Sequence, residues 1–282
     1  MKVAVFADIH SNYLVFKKAF EETKTMNVDK YIFLGDHITD GFDNNKVLEI
    51  IKNSKGYVVN GNREVSIIEY HRNKNEDWHK YINLYSMLYC YESLSAENIR
   101  FIESLDIFKI INLDDKKICL AHSTPYNVKS DVFEDSYEVF DNLIKDFDCD
   151  IYLFGHEHKC YHTIYKNRHF INPGTIGIPT CGLPYNYGIL SIEEGKIEFK
   201  HMNVEYDYEE LHSYYTSSDY YTAAKAWCDL LLAVMKDGED HPSNLINTII
   251  KKAGEKNIDV SKNIPNELFM ETYEEYMKNI NK

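Results

Sequence analysis

The sequence predicts an α/β fold with a helical extension at its C-terminus, and three observations predict it. Short apolar runs alternate with segments of helical spacing from the N-terminus onward. Five of these runs stop abruptly at residues that carry oxygen or nitrogen donors. From about Val204 the strand-like runs cease and helical periodicity takes over.

Residues 2–8 read as a buried strand, bounded by the turn Asp8-Ile9-His10-Ser11-Asn12. Ser11 or Asn12 caps the next helix, where Leu14, Val15, Ala19 and Phe20 recur at helical spacing. Strand Tyr31–Leu34, a loop through Gly41, helix Lys46–Ile51 and strand Tyr57–Val59 complete a β-α-β-α-β run. That alternation predicts parallel strands with right-handed crossovers and ligands at the carboxyl ends of the strands. Residues 65–105 are polar and rich in Tyr and Asn, with helical spacing in Trp78–Tyr91 and Glu97–Leu105, and read as a helical insertion near the site.

Phe108–Asn112 and Lys117–Leu120 read as a hairpin turning at Asp114-Asp115. A helix over Phe133–Phe147 and a strand over Ile151–Phe154 follow. Strands at 161–165, 168–171, 187–192 and 196–202, with turns at Pro173-Gly174 and Glu194-Gly195, predict a second, mainly antiparallel half. Beyond it, helical spacing marks Tyr220–Met235, Leu245–Ala253 and Glu267–Ile280. The division is therefore a domain over 1–203 and a helical extension over 204–282. The extension carries 15 acids against 8 bases, half of the chain's net charge of -14, and eight tyrosines. These suit a cap on the core, or a cap that also builds a homo-oligomer.

At 282 residues the chain can bury a sizeable core. The charge of -14 argues against nucleic-acid or anionic-membrane binding, although bound cations reverse the sign locally for a small anionic substrate. Six cysteines (90, 119, 149, 160, 181 and 228) form no C-x-x-C pair and read as small buried hydrophobes in a reducing compartment. The apolar start Met1–Ala7 is cut too early by Asp8 and His10 to be a signal peptide, and Leu230–Met235 is far too short to span a membrane. The expected location is cytoplasmic.

The donors at the strand ends are Asp8-Ile9-His10, Gly35-Asp36, Gly61-Asn62, His122 and Gly155-His156-Glu157-His158. Imidazole is the commonest neutral metal ligand, so two of them in one loop draw attention to a shared centre. In this order the motifs resemble the calcineurin-like metallophosphoesterase superfamily, whose pattern is D-x-H, G-D, G-N, a lone H and G-H-x-H. The resemblance covers roughly residues 1–202 and implies a four-layer α-β-β-α sandwich. Asp8–Asn12, Asn172–Gly177 and the helical tail are most similar to small bacterial phosphoesterases, including the asymmetric diadenosine tetraphosphate hydrolases.

The resemblance implies that Asp8, His10 and His158 hold one metal, that Asn62, His122 and His156 hold a second, and that Asp36 bridges both. Two divalent cations carry four positive charges, of which two carboxylates cancel half. The remaining charge would bind phosphate and acidify a bridging water, whose hydroxide would attack phosphorus in line. The mixed N/O donors suit Mn, Fe, Co, Ni or Zn better than Ca or Mg.

Two departures bear on the substrate. Many relatives carry a histidine after G-N that protonates the leaving oxygen; here the residue is Arg63, which keeps its proton. Phosphate needs little protonation to leave, so phosphoanhydrides are favoured, unless His37 supplies the proton. Gly35-Asp36-His37-Ile38-Thr39-Asp40-Gly41 also lacks the arginine of the protein-phosphatase pattern.

The expected function is hydrolysis of a nucleoside polyphosphate such as diadenosine tetraphosphate, with Asp36, Asn62, Arg63 and His37 as catalytic candidates. The alternatives are a phosphodiesterase acting on cyclic nucleotides or small diesters, and a non-catalytic scaffold of the same fold. Glu157 is expected to face solvent, Asn12 to cap its helix, and Asn172-Pro173-Gly174 to shape a loop beside the site. Tyr126, Tyr185 and Tyr187 are candidates to stack on a nucleobase.

Overall fold

The structure, a computed structural model, describes residues 1–280. Its first strand, β1 (Lys2–Phe6), is apolar on both faces, as a central strand must be. Val3 and Val5 enter one hydrophobic cluster and Ala4 and Phe6 another, because successive side chains alternate across a strand. The chain continues through α1 (Tyr13–Thr25), β2 (Lys30–Phe33), α2 (Asn44–Ser54), β3 (Tyr57–Val58) and α3 (Asn62–Asn73). β1, β2 and β3 are parallel neighbours, as the β-α-β-α-β reading requires. The insertion holds α4 (Asp77–Lys80), a 3₁₀ turn at Ile82–Leu84, α5 (Tyr85–Ser93) and α6 (Ala96–Glu103).

The second sheet starts with the hairpin β4 (Phe108–Leu113) and β5 (Lys116–Ala121). After α7 (Tyr137–Phe147) come β6 (Ile151–Leu153), β7 (Cys160–Tyr165), β8 (Arg168–Pro173), β9 (Tyr185–Glu193) and β10 (Lys196–Val204). The sheet orders are β10-β9-β1-β2-β3 and β4-β5-β6-β8-β7. Val5, Ile32 and Leu34 of the first sheet meet Ile118, Leu120, Leu153 and Ile171 of the second in a dry interface. α1 and α2 cover the outer face of the first sheet, and α7 covers that of the second through Phe140 and Leu143. The result is an α/β sandwich of two mixed sheets flanked by helices, with further helices at the C-terminus.

The expectation of a separate antiparallel half is corrected. β9 and β10 return to the first sheet, where β9 pairs antiparallel with β1, while β5, β6 and β8 run parallel. There Leu190 and Ile192 bury in the inter-sheet cluster beside Val3. α7 begins four residues later than its apolar spacing suggests, because the Ser136 hydroxyl accepts from Phe133 N–H and holds a turn there.

The C-terminal helices are α8 (Tyr208–Thr216), α9 (Asp219–Ala223), α10 (Lys225–Asp237), α11 (His241–Lys256) and α12 (Asn266–Ile280). The single helix expected over Tyr220–Met235 is interrupted at Ala224, whose backbone leaves the helical region. Leu211, Tyr215, Tyr220, Cys228 and Leu232 join the same cluster as Phe6 and Phe16, so α8 to α10 share the core of the strands. α11 and α12 pack instead on Ala226 and Leu230 of α10. Among the described residues no helix is long and apolar enough to cross a membrane.

Candidate metal centre

Each donor sits where its strand gives way to a tight turn. Asp8, His10, Asp36, His156 and His158 all have positive φ, between 46° and 76°. A side chain on Cβ makes that region costly, by about 1 kcal/mol or more per residue, so five such residues in one place mark a functional site. Glycine does the complementary work. A Cβ on Gly61 would collide with the backbone and carboxylate of Asp36, so only glycine lets the two loops touch.

Glu64 ties the same loops together. Fully buried, its carboxylate accepts from the backbone N–H groups of Asp36 (2.9 Å), His37 (2.7 Å), Ile38 (3.2 Å) and Gly61 (2.8 Å). Glu64 thus supplies the glutamate half of a capping box at the start of α3, with glycine at the N-cap, and also fixes the turn after β2.

Two compact donor groups result, Asp8/His10/His158 and Asp8/Asp36/His122, each with its atoms within 4.8 Å of one another. Asp36 lies between the two sides, with Oδ1 3.5 Å from His122 Nε2 and Oδ2 3.8 Å from His10 Nε2. Asn62 Oδ1 is 3.0 Å from His122 Nε2. The His156 ring stands 5.1 Å from that of His122 and lines the cleft, outside both compact groups.

The protonation pattern fits a cation. Nδ1 of His122 lies 2.8 Å from the Leu34 carbonyl and Nδ1 of His158 lies 2.8 Å from that of Ile178. A carbonyl only accepts, so each Nδ1 carries the proton and each Nε2 presents a bare lone pair. Nε2 of His158 faces Nε2 of His10 at 3.2 Å. Nitrogens ligating one ion at about 2.1 Å approach each other within about 3–3.5 Å, so this spacing suits a shared cation. Burial, then the nearby His10, lowers His158 to about 3; burial, then His122, lowers His156 to about 4. Both rings are therefore neutral and free to ligate at physiological pH. Burial, then the Asp36 charge, pushes Asp8 well up, a conflict that a cation between the carboxylates relieves.

Asp40 is a site residue that the sequence does not single out. It is buried, with Oδ2 3.2 Å from His10 Nδ1 and 3.2 Å from the Arg63 guanidinium, and Oδ1 accepting from Trp227 Nε1 at 2.8 Å. Burial raises its pKa, but Arg63, His10 and Trp227 outweigh burial and hold it below the usual carboxylate range. Its position four residues past Asp36 carries no hint of these contacts.

Other expectations are corrected. His37 turns into the core beside Phe33, its Nε2 3.0 Å from the Val59 carbonyl, and does not line the cleft. Glu157 is half-buried at the cleft and not free in solvent: it accepts from Val132 N–H and from the Asn172 amide, and burial pushes it up to about 8. Tyr185 and Tyr187 are buried in the core, and the Tyr126 hydroxyl donates to Asp146. Asn12 caps α1 at Val15, and Asn172 donates to the Gly155 carbonyl beside the double-histidine turn.

Residues 1–195 match the family described as the calcineurin-like phosphoesterase superfamily domain. The chain belongs to that superfamily. It is a metal-dependent phosphoesterase, and the donor groups above are where divalent ions belong. An uncharacterized protein of Methanocaldococcus jannaschii is 25% identical over 228 residues, covering 73% of this chain and 88% of that protein. A hypothetical protein from Pyrococcus horikoshii shares the fold with a TM-score of 0.67 at 19% identity, over 82% of this chain and 97% of that one. A metallophosphoesterase from Sphaerobacter thermophilus does so with a TM-score of 0.66 at 18% identity, over 84% and 100%. The scaffold alternative is set aside with the family assignment.

Proposed function

We propose that this phosphoesterase cleaves a phosphoanhydride in a nucleotide, with a nucleoside polyphosphate such as diadenosine tetraphosphate as the expected substrate. The supporting observation is the make-up of the cleft. Its imidazoles (His10, His156 and His158) are all ligand candidates, and Arg63, 31% exposed there, keeps its proton. With His37 turned away, no histidine outside the donor set lines the cleft among the described residues. Glu157 also lines the cleft, but both of its carboxylate oxygens accept, one from Val132 N–H and the other from the Asn172 amide. The leaving group therefore departs with little protonation, which suits phosphate.

Asp8, His10 and His158 would hold one divalent ion, and Asn62, His122 and His156 a second, with Asp36 placed between them; Mn, Fe, Co, Ni and Zn fit these donors. When bound, the ions supply positive charge for the phosphate and lower the pKa of water. Arg63, steered by Asp40, faces the cleft to orient a phosphate oxygen. The carbonyls of Leu34 and Ile178 keep His122 and His158 in the tautomer that leaves Nε2 free.

One observation favours the second reading, a small phosphodiester. Asp131 and Asp240 also line the cleft, and Arg63 is already paired with Asp40, so a highly charged polyphosphate meets acids at the rim. A series of aryl phosphate esters, with diadenosine tetraphosphate alongside, tests the proposal. Without proton donation the rate falls steeply as the leaving-group pKa rises, and the anhydride is the faster substrate. A flat dependence, or faster turnover of alkyl diesters, rejects it.

A further inference from the structure

We infer that α10 and α11, which lie beyond the residues matching the family, form a wall of the active site that binds a planar heteroaromatic group. The cleft holds about 490 Å³, within the range of pockets that take small ligands. Its two sides differ. One carries the charged donors. The other is built by Trp227 and Leu231 of α10, one turn apart, and by Pro242 and Ile246 of α11, also one turn apart. Ser243 and Asn247 stand exposed beside that apolar band, within the cleft.

Apolar faces with hydrogen-bonding groups at one edge are what a nucleobase presents, and this wall is its complement. A bare alkyl phosphate would leave the band against water. The indole is held in place at both ends, since Nε1–H donates to Asp40 and the ring packs with Ile178, Leu231 and Val234. A side chain held at its polar edge and on its apolar flank loses little freedom when a ring settles against it.

The inference rests on the nucleotide reading proposed above, and its test is separate from turnover. Titration calorimetry of the manganese-loaded protein compares adenosine monophosphate with ribose 5-phosphate, which share the phosphate and differ in the base. The monophosphate binds roughly 10-fold more tightly, the scale of one base against an apolar or aromatic surface. Ile246→Ala and Asn247→Ala each reduce that ratio, and Ile246→Met restores most of it. Equal affinities in the unaltered protein, affinity for neither ligand, or a variant that weakens both equally overturns the wall. Should the ratio hold while no anhydride is cleaved, the wall stands and the proposed function falls.

Discussion

The two sides of the cleft are built by opposite means. The donor side consists of loops at strand ends, five of whose ligand candidates have left-handed backbones, with buried carboxylates crowded together. The helical side consists of ordinary α-helix, with an apolar band, a tethered indole and the polar edge of Ser243 and Asn247. Reactivity on one side depends on strain and charge, while selectivity on the other needs only shape and that polar edge. A substitution on the donor side should therefore cost far more than one on the helical side.

The largest effect tests this directly. Asp36→Asn removes the carboxylate between the two donor groups and lowers kcat/KM by on the order of 10³-fold, with reduced metal content in mass analysis. Near-normal turnover with full metal content would make the two sides equivalent. Next is Glu64→Ala, which strands four buried backbone N–H groups. A loss of about 3 kcal/mol of stability is expected in denaturant titrations. A loss below about 1 kcal/mol would show that water replaces the carboxylate without penalty.

Metal binding itself sharpens the contrast. Asp8 is pushed up by burial and then by Asp36, so in the metal-free protein its carboxyl holds a proton more tightly than in the unfolded chain. Stability of the metal-free protein declines as pH rises through the raised value, and a bound cation cancels the decline. The rise in Tm on adding manganese, roughly 5–10 °C at a hundredfold excess over Kd, should accordingly grow as pH rises above the ordinary carboxylate range. A shift that shrinks as pH rises contradicts the crowding described. The smallest effect belongs to Trp227→Phe, which keeps an aromatic face and drops the hydrogen bond to Asp40. Metal affinity measured by competition with a chelator should weaken about 3- to 10-fold, less than for loss of a ligand.

The same contrast explains which parts of the site are legible in the sequence. Asp8, His10, Asp36, Asn62, His122, His156 and His158 stand out because each lies in the turn just past an apolar run, so strand geometry brings them to one edge. Asp40 and Glu64 stay hidden because their work depends on which way a loop folds back, and spacing carries no trace of that. His37 misleads for the converse reason: adjacency to Asp36 in the chain says nothing about direction, and positive φ at Asp36 sends the next side chain inward. The return of β9 to β1 is hidden because Leu190 and Ile192 would suit either sheet. Trp227, Pro242 and Ile246 look like ordinary residues of amphipathic helices, and only their packing turns them toward the cleft.

The shared core of strands and C-terminal helices also governs how the gene can be cut. A fragment ending near residue 203 would lose Tyr215, Tyr220, Cys228 and Leu232 from the cluster around Phe6 and Phe16. Such a truncation would expose greasy surface over the first sheet and invite aggregation, although it retained every candidate metal ligand. Libraries that shuffle catalytic modules at the family boundary would thus discard variants for insolubility, and their inactivity would be misread as a chemical defect.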